Sequence, residues 1–354
     1  MIITILAAFL TSLITILIIL RFNEFHLKFS GDFDLTSPQK FHKYTVPRIG
    51  GIGIFFSLLI AIALMPNKIS ASTIEINLLL SSIPAFAIGV VEDLTKSIRI
   101  LPRFLFIILS AILFVYLLSI QITSLDIPYL DIIFSLWGVG AVFTVFAITG
   151  LTNAYNLIDG FNGLASMTGI LTLLVIALAS FLVNDMLITH LCLAMVGSLS
   201  GFFIFNYPKG NIFLGDGGAY LIGFWIAGLS VLFAVRHQEI SPWFCLVVNI
   251  YPITETLFTI YRRIIHQGIS PGKSDGLHLH TLIYRRLIIR SYQIEKSNFR
   301  NSRTAPYLWL IAVLGMLPAI LWPQSSKILM FFSLIFIVCY VLLYVKIVKV
   351  DTRK

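Results

Sequence analysis

The amino-acid sequence predicts an all-α, polytopic integral membrane protein with about eleven transmembrane helices. The chain has 354 residues, of which 58% are hydrophobic and only 12% are charged. Its mean hydropathy of +0.94 lies far outside the range of soluble globular domains. Many of its apolar runs are long enough to cross about 30 Å of hydrocarbon at about 1.5 Å per residue. We therefore expect a single polytopic membrane domain over residues 1–354.

Eleven apolar runs can be distinguished in the sequence, and two of them are short. The first run resembles a signal peptide, but no basic residue precedes it, and Arg21 follows it in place of a small-residue cleavage site. We therefore interpret it as a retained span. The three cysteines all fall within apolar runs, which favours small core residues over metal ligands or disulfides. The runs cover residues 2–20, 49–65, 77–91, 104–120, 132–150, 164–183, 189–206, 218–235, 243–261, 306–322 and 327–345.

The distribution of lysine and arginine predicts the orientation of these spans, because basic loops stay on the cytoplasmic side of a membrane. One set of connections carries 22 of the 25 basic residues. The amino terminus should therefore face outward and the carboxyl terminus inward. The same bias explains the net charge of +9 without a nucleic acid, although anionic lipids or a nucleotide would also be attracted. The basic set comprises residues 21–48, 92–103, 150–163, 207–217 and 262–305 and the tail from Lys346.

The stretch Gly150–Gly163 interrupts an apolar run with amides, a carboxylate and glycines. Asn153, Asn156, Asp159 and Asn162 follow one another at intervals of three, so a helix would place them along one face. Membrane insertion does not require such a break. The pattern therefore indicates a binding surface.

Two other inner connections carry carboxylates. Glu92 and Asp93 are adjacent at a membrane boundary, where mutual repulsion would leave one of them able to take a proton or share a cation. Asp216 stands among glycines at the start of the eighth span, where it could ligate a hard cation such as Mg²⁺ or Mn²⁺. The alternative interpretations are a solvated loop start for the pair and a helix N-cap for Asp216.

The remaining inner connections contain weaker signals. Arg48 precedes a glycine-rich helix start, an arrangement that can bind an anion but is equally typical of a structural turn. His278 and His280 point the same way on an extended segment and opposite ways on a helix. They could bind metal or phosphate, or one could cap a turn.

Five motifs, in this order and on one predicted membrane face, resemble the polyprenyl-phosphate N-acetylhexosamine-1-phosphate transferases, a group within glycosyltransferase family 4. The resemblance covers nearly the whole chain, and that family has about ten or eleven spans and a cytoplasmic site. The five motifs are Val46 to Gly51, Glu92 to Lys96, Asn153 to Gly163, Asn206 with Phe213 to Asp216, and Asp275 to Arg286.

The resemblance implies a Mg²⁺-dependent enzyme of a bacterial inner (plasma) membrane. An oxygen of undecaprenyl phosphate would attack a UDP-N-acetylhexosamine, giving a lipid diphosphate sugar and UMP. Membrane lipid and a second copy of the chain in a homodimer are further candidate partners. The implied catalytic residues are Glu92, Asp93, Asp159, Asp216, His278 and His280, with Asp216 and Asp159 also as metal ligands. The implied substrate-binding residues are Lys40, Arg48, Lys96, Asn153, Asn156, Asn162, Asn206 and Phe213.

The sequence departs from the family pattern at three positions. Glu92 stands where the family usually has aspartate, Asn162 replaces a carboxylate, and Thr281 replaces the third histidine of a cluster. These departures favour a branch that initiates surface polysaccharides, such as the O-antigen of lipopolysaccharide, over the peptidoglycan enzyme. The alternatives are a secondary transporter with an intramembrane polar site and a catalytically inactive scaffold. The sugar and the pathway cannot be inferred.

Overall fold

The protein folds into a bundle of helices, as the sequence predicts. The structure, a computed structural model, describes residues 1–32, 45–65, 73–134, 136, 138–268, 275–289 and 301–349. Within these ranges the only β-type pairing is an isolated antiparallel bridge between Gly31 and Pro47. Eight of the helices are long and apolar enough to span a membrane by length and composition. The total of eleven crossings and the orientation of the termini stay predictions.

The helices follow most of the predicted apolar runs, and several short helices and π-helical turns lie between them. The order is α1 (Ile2–Arg21), α2 (Asn23–Ser30), α3 (Gly50–Ala63), α4 (Ile74–Thr95), α5 (Ile100–Leu118), α6 (Pro128–Phe134), α7 (Val139–Ile158), α8 (Leu164–Leu182), α9 (Met186–Asn206), α10 (Gly215–Arg236), α11 (Trp243–Val248), α12 (Ile250–Tyr261), α13 (Leu279–Ile283), α14 (Ala305–Leu321) and α15 (Ser326–Lys349), with π-helical turns at Arg262–Gln267 and Tyr284–Ile288.

The helices differ from the predicted spans and connections at three places. Within the run 132–150, α6 ends at Phe134 and α7 begins at Val139. Helix α7 continues to Ile158, so most of the predicted connection 150–163 is helix. The polar residues there did not end the helix because their side chains bond within the protein, as described below. The predicted span 243–261 is broken at Asn249. The connection 21–48 begins with a further helix, α2.

The break at Asn249 lies within the apolar interior, where exposed polar groups would be costly. The side-chain amide of Asn249 donates to the carbonyl of Cys245 at 2.9 Å and to the hydroxyl of Ser230 at 3.3 Å. Its side-chain oxygen accepts from the Tyr155 hydroxyl at 3.3 Å. These bonds allow α11 and α12 to meet at an angle without leaving the asparagine unsatisfied.

Helix α10 forms the centre of the bundle. Every residue from position 215 to position 233 is buried, and the helix packs against α3, α4, α7 and α8. A helix that is apolar on all sides has to be enclosed in this way. Glycines allow the closest approaches, since the backbones of Gly51 and Gly218 and of Gly89 and Gly217 meet directly.

All the inner motifs meet at one end of this bundle. Helices α3, α5, α8 and α10 begin there, and α4, α7 and α9 end there. The fold therefore brings the polar residues of these motifs to the same end of the central helix, although they are spread over more than 100 positions of the sequence.

Candidate active site

The starts of α3 and α10 are paired through their backbones. The amide of Phe213 donates to the carbonyl of Pro47 at 2.9 Å, and the amides of Gly50 and Gly51 donate to Phe213 and Leu214 at 3.0 Å each. The first amides of a helix have no partner within the helix, and here the neighbouring segment satisfies two of them. This pairing places Arg48 beside the first turn of α10.

Asp93 fixes the start of α10 from the end of α4. Its carboxylate is only 1% exposed and accepts the amide of Asp216 at 2.8 Å and that of Gly217 at 3.0 Å. A carboxylate is stabilised at a helix N-terminus by the free amides and the helix dipole. Both oxygens of Asp93 are thus used to hold the backbone that carries Asp216.

The carboxylate of Asp216 is the point where four elements converge. Its Oδ2 accepts from Arg103 of α5 at 2.6 Å. Its Oδ1 accepts from Arg48 at 3.3 Å and from the side-chain amide of Asn156 on α7 at 3.2 Å. Asp216 is almost fully buried, so these charge-assisted bonds are strong ones. Arg48 also lies 3.6 Å from Asp93.

Asp159 follows α7 directly and faces the same charges. Its side chain keeps partial access to solvent, but its enclosure by protein raises the pKa of its carboxyl from 3.8 to about 7, opposed by Arg48 and helped by Asp216. Negative charge at this position is therefore unfavourable unless a further cation compensates it.

We expect Asp159→Asn to stabilise the protein at alkaline pH. Because the folded-state pKa is raised, the folded protein retains a proton that the unfolded chain releases, so stability falls as pH rises from about 4 to 7. Asparagine cannot ionise, so the variant does not lose stability in this way as the pH rises. In thermal unfolding without added divalent cations, the variant should unfold at a higher temperature than the wild type at pH 8, and the difference should vanish near pH 4.

The matched control for this comparison is Asp126→Asn, an aspartate bonded to Ser124 and Ser326 near the far end of α5. It makes the same chemical change away from Arg48 and Asp216 and should not reproduce the gain in unfolding temperature at pH 8. A lower unfolding temperature for Asp159→Asn at pH 8 would show that the attraction of Arg48 outweighs the burial of Asp159.

Glu92 differs from its neighbour Asp93 in being partly exposed. Its Oε2 accepts the amide of Ile98 at 2.7 Å, which closes the turn between α4 and α5. Its Oε1 lies 4.0 Å from the guanidinium of Arg103. The adjacent carboxylates therefore have different surroundings, and Glu92 is the one that a ligand can reach more easily.

The predicted lysines are less informative. Lys96 ends α4 in a left-handed conformation, with φ of 54°, and its ammonium donates to the carbonyl of Gly31. That bond joins the first and second inner connections. Lys40 lies outside the described residues.

Three predicted substrate-binding residues make bonds within the protein. The Asn206 side chain accepts the amide of Gly163 at 2.6 Å and donates to the carbonyl of Ile212 at 2.8 Å, which ties the 207–214 connection to the start of α8. Asn162 donates to the carbonyl of Pro208 at 3.2 Å. The Asn153 amide turns back to Thr149 of its own helix.

Phe213 is partly exposed beside the carboxylate cluster, between the two paired helix starts. Its stacking on a base stays a prediction. The ring nevertheless belongs to the segment that precedes Asp216, so a ligand at Asp216 would lie close to it.

The two histidines lie side by side. His278 precedes α13 in an extended conformation and His280 is within the helix, and their rings stack with centroids 5.0 Å apart. Burial, with His278 as a second cause, lowers the pKa of His280 to about 3, so its ring is neutral. A Cβ on Gly160 would lie 2.9 Å from Nε2 of His280. The histidine pair therefore packs, through His280, directly against Gly160, the residue that follows Asp159.

The chemistry of this cluster fits a divalent cation. Four carboxylates (Glu92, Asp93, Asp159 and Asp216) surround two guanidiniums (Arg48 and Arg103), so negative charge is in excess by two. The pKa of Asp159 is raised mainly by burial, and repulsion by Asp216 adds to that effect. Among the described residues no three histidine, cysteine or acidic side chains already converge as a metal site, and Asp216 is bonded to arginine. A cation would therefore compete with the arginines for Asp216.

Two residues of this region were missed as site residues by the sequence analysis. Arg103 was counted only among the basic residues of its connection, although an arginine one turn into an apolar helix is itself a signal. Glu255 lies inside the predicted span 243–261, and a carboxylate within a span is by default a functional candidate. It contacts His278 and is discussed below.

The structure is therefore that of a polytopic membrane protein, with a cluster of carboxylates and arginines at one end of its helices. The chain belongs to glycosyl transferase family 4: the model of that family matches residues 76–234, the range that contains Asp93, Asp159 and Asp216.

Two relatives of named function support this assignment. The chain is 32% identical over 285 residues to a probable undecaprenyl-phosphate N-acetylglucosaminyl 1-phosphate transferase of Bacillus subtilis, covering 78% of this chain and 76% of the relative. It is also 28% identical over 303 residues to a phospho-N-acetylmuramoyl-pentapeptide-transferase of Listeria monocytogenes, covering 82% and 88%. The predicted family resemblance is thereby confirmed.

Proposed function

We propose that the protein transfers an N-acetylhexosamine 1-phosphate from a UDP-sugar to undecaprenyl phosphate, releasing UMP. This would be the first membrane step of a cell-surface polysaccharide, with the site facing the cytoplasm of a bacterial inner membrane. The observation that carries the proposal is the buried carboxylate of Asp216, bonded to two arginines and next to the buried carboxylate of Asp93. The name of the Bacillus relative supports the same reaction.

The transfer makes one bond and breaks one. An oxygen of the lipid phosphate bonds to the β-phosphorus of the UDP-sugar, and the bond from that phosphorus to the bridging oxygen breaks, so that UMP leaves with the electron pair. Such reactions need mainly positioning and the neutralisation of charge. Arg48 and Arg103 offer guanidiniums, which match phosphate oxygens in geometry and charge.

Mg²⁺, or Mn²⁺, held by Asp216 and Asp159, would neutralise the charge of the diphosphate. Asp93 keeps Asp216 in place through the amides of the helix start. Asn156 orients Oδ1 of Asp216. Asp93 and Asp216 are buried, and the lower dielectric of such surroundings strengthens their interactions.

The proposal can be tested together with its orientation. Sealed membrane vesicles containing the protein and undecaprenyl phosphate are supplied with Mg²⁺ and one member of a panel of UDP-sugars. Inside-out vesicles should release UMP, and right-side-out vesicles should do so only after they are opened with detergent. Release of UMP from neither preparation with any UDP-sugar would refute the transferase, and release from intact right-side-out vesicles would refute the orientation.

Glu92 allows a test of whether a general base assists the transfer. A phosphate monoester has a second pKa of about 6, so near pH 7 the acceptor is mostly ionised and needs little help. We expect Glu92→Gln to lose less activity than Asp216→Asn, with a deficit that shrinks as the pH is raised toward 9. Initial rates of UMP release across this pH range provide the measurement.

Glu92→Asp is the matched variant, because it keeps the carboxylate and shortens it by one methylene. A base that still reaches the acceptor should retain a substantial fraction of the rate. If Glu92→Gln were as inactive as Asp216→Asn at every pH, Glu92 would have to be a metal ligand.

A further inference from the structure

Glu255 on α12 is a carboxylate in the apolar interior, with a side chain that is 1% exposed. Burying a carboxylate is costly unless it is paired and hydrogen-bonded. In a membrane protein such a residue is retained where it has a function. None of the contacts of the carboxylate cluster at Asp216 involves it.

The contacts of Glu255 lead to the histidine motif. Its Oε1 accepts the amide of Leu279 at 3.0 Å and lies 3.4 Å from Nδ1 of His278. Its Oε2 accepts the hydroxyl of Tyr340 on α15 at 2.8 Å. The hydroxyl of Thr259, one turn further along α12, lies 3.2 Å from the same Nδ1. Glu255 thus contacts both the ring of His278, together with Thr259, and the backbone that follows it, and Tyr340 in turn holds Glu255.

The other side of the motif reaches the carboxylate cluster. The ring of His280 stacks on that of His278 at an angle of 15° between their planes, and its Nε2 packs against Gly160, next to Asp159. Contacts are therefore continuous from Tyr340 through Glu255 and the two histidines to the predicted metal ligands.

Helix α15 holds the same motif at two further points. The hydroxyl of Tyr344 donates to the carbonyl of Leu277 at 3.0 Å. The guanidinium of Arg286 donates to the carbonyl of Ile347 at 2.7 Å. The last helix lies beyond the segment that the family model matches, yet it contacts the histidine motif on both sides of α13.

We propose that Glu255 is a positioning residue for His278. Its carboxylate accepts a proton-bearing Nδ1, which sets the tautomer and the orientation of the ring, and Tyr340 fixes the carboxylate. The other ring nitrogen, Nε2, lies 3.8 Å from Oδ2 of Asp275, which is itself paired with Arg262. The inference rests on the proposed function, because it assigns the histidine motif to the transfer reaction.

The contact itself can be tested without any turnover. Solid-state NMR of the membrane-embedded protein, labelled with ¹⁵N-histidine, reports which ring nitrogen carries the proton, and the loss of one signal in His278→Gln assigns His278. The wild type should show a protonated Nδ1 for His278, and Glu255→Gln should alter that signal. The control Glu239→Gln makes the same chemical change near the end of α10 opposite Asp216 and should leave it as it was. An unaltered signal in Glu255→Gln would overturn the proposal.

Activity then separates positioning from a purely structural role. Glutamine keeps the size of Glu255 and an acceptor for Leu279, so Glu255→Gln should retain the wild-type unfolding temperature. We expect kcat to fall about 10- to 100-fold, the cost of misplacing a reacting group, with little change in the KM for the UDP-sugar. The positioning role would be contradicted if Glu255→Gln had the same kcat as the wild type. It would also be contradicted if the loss of kcat were accompanied by a lower unfolding temperature.

Tyr340→Phe provides a second, milder variant that keeps the aromatic contact with Phe258. It should lower kcat less than Glu255→Gln and should add nothing to the effect of Glu255→Gln in the double variant, because both act through one contact. Fully additive effects would contradict the proposed connection. If the wild type itself releases no UMP, the proposed function fails, while the NMR comparison still decides whether Glu255 orients His278.

Discussion

Replacing Asp216 by asparagine is expected to lower the rate of UMP release on the order of 100- to 1,000-fold, the loss typical of removing one fixed electrostatic group from an active site. The carboxylate oxygens accept from Arg48, Arg103 and Asn156. In asparagine, an NH₂ group would replace one of these two oxygens, and its N–H groups would face the N–H donors that the oxygen had accepted from. It would also remove the charge that a divalent cation requires.

Initial rates at several Mg²⁺ concentrations measure this loss. The backbone amide of position 216 would still bond to Asp93, so the variant should fold and unfold at close to the wild-type temperature. Asp126→Asn, which makes the same change far from the cluster, should keep the wild-type rate. If Asp216→Asn retained both a near-normal rate and a normal dependence on Mg²⁺, Asp216 would not be the metal ligand.

Replacing Gly89 by alanine is the change expected to damage the structure of the site most. A Cβ at Gly89 would lie 2.5 Å from both the Cα and the amide nitrogen of Gly217. Backbone atoms cannot rotate away, so α4 and α10 would have to separate, at a cost of about 1–3 kcal/mol. That separation would also break the bonds from Asp216 and Gly217 to Asp93. We therefore expect a lower unfolding temperature and near-complete loss of UMP release.

Gly150 provides the matched control, because it also lies within a helix but a Cβ there would meet nothing within 4 Å. Alanine is favoured over glycine in a helix by roughly 0.5–1 kcal/mol, so Gly150→Ala should be neutral or stabilising. If Gly89→Ala and Gly150→Ala behaved alike, the direct backbone contact between α4 and α10 would be wrong.

The helical fold and the position of Asp216 could be predicted because they depend on local pattern. Apolar runs specify the helices, and a carboxylate among glycines specifies the start of α10. The difference between Glu92 and Asp93 could not be predicted. They are neighbours in sequence, but one faces the amides of α10 and the other faces the turn toward α5. Only the packing of α4 against α10 decides which of them is buried.

The asparagines show the same limit. The spacing of Asn153 and Asn156 indicates a shared face, and a helix does carry both, yet Asn156 reaches Asp216 while Asn153 bonds back to its own helix. The bonds of Asn162 to Pro208 and of Asn206 to Gly163 join residues more than 40 positions apart. Their roles toward a ligand stay predictions.

The glycine contacts also restrict how a membrane-borne acceptor can reach the carboxylates. The backbones of α3 and α4 touch that of α10 at Gly218 and Gly217, so no channel for a hydrocarbon chain exists between these helices near Asp216. In the proposed reaction, the tail of the lipid acceptor therefore has to lie against another side of the bundle while its phosphate reaches the cluster. We expect the acceptor to approach Asp216 from a side that α3 and α4 do not cover.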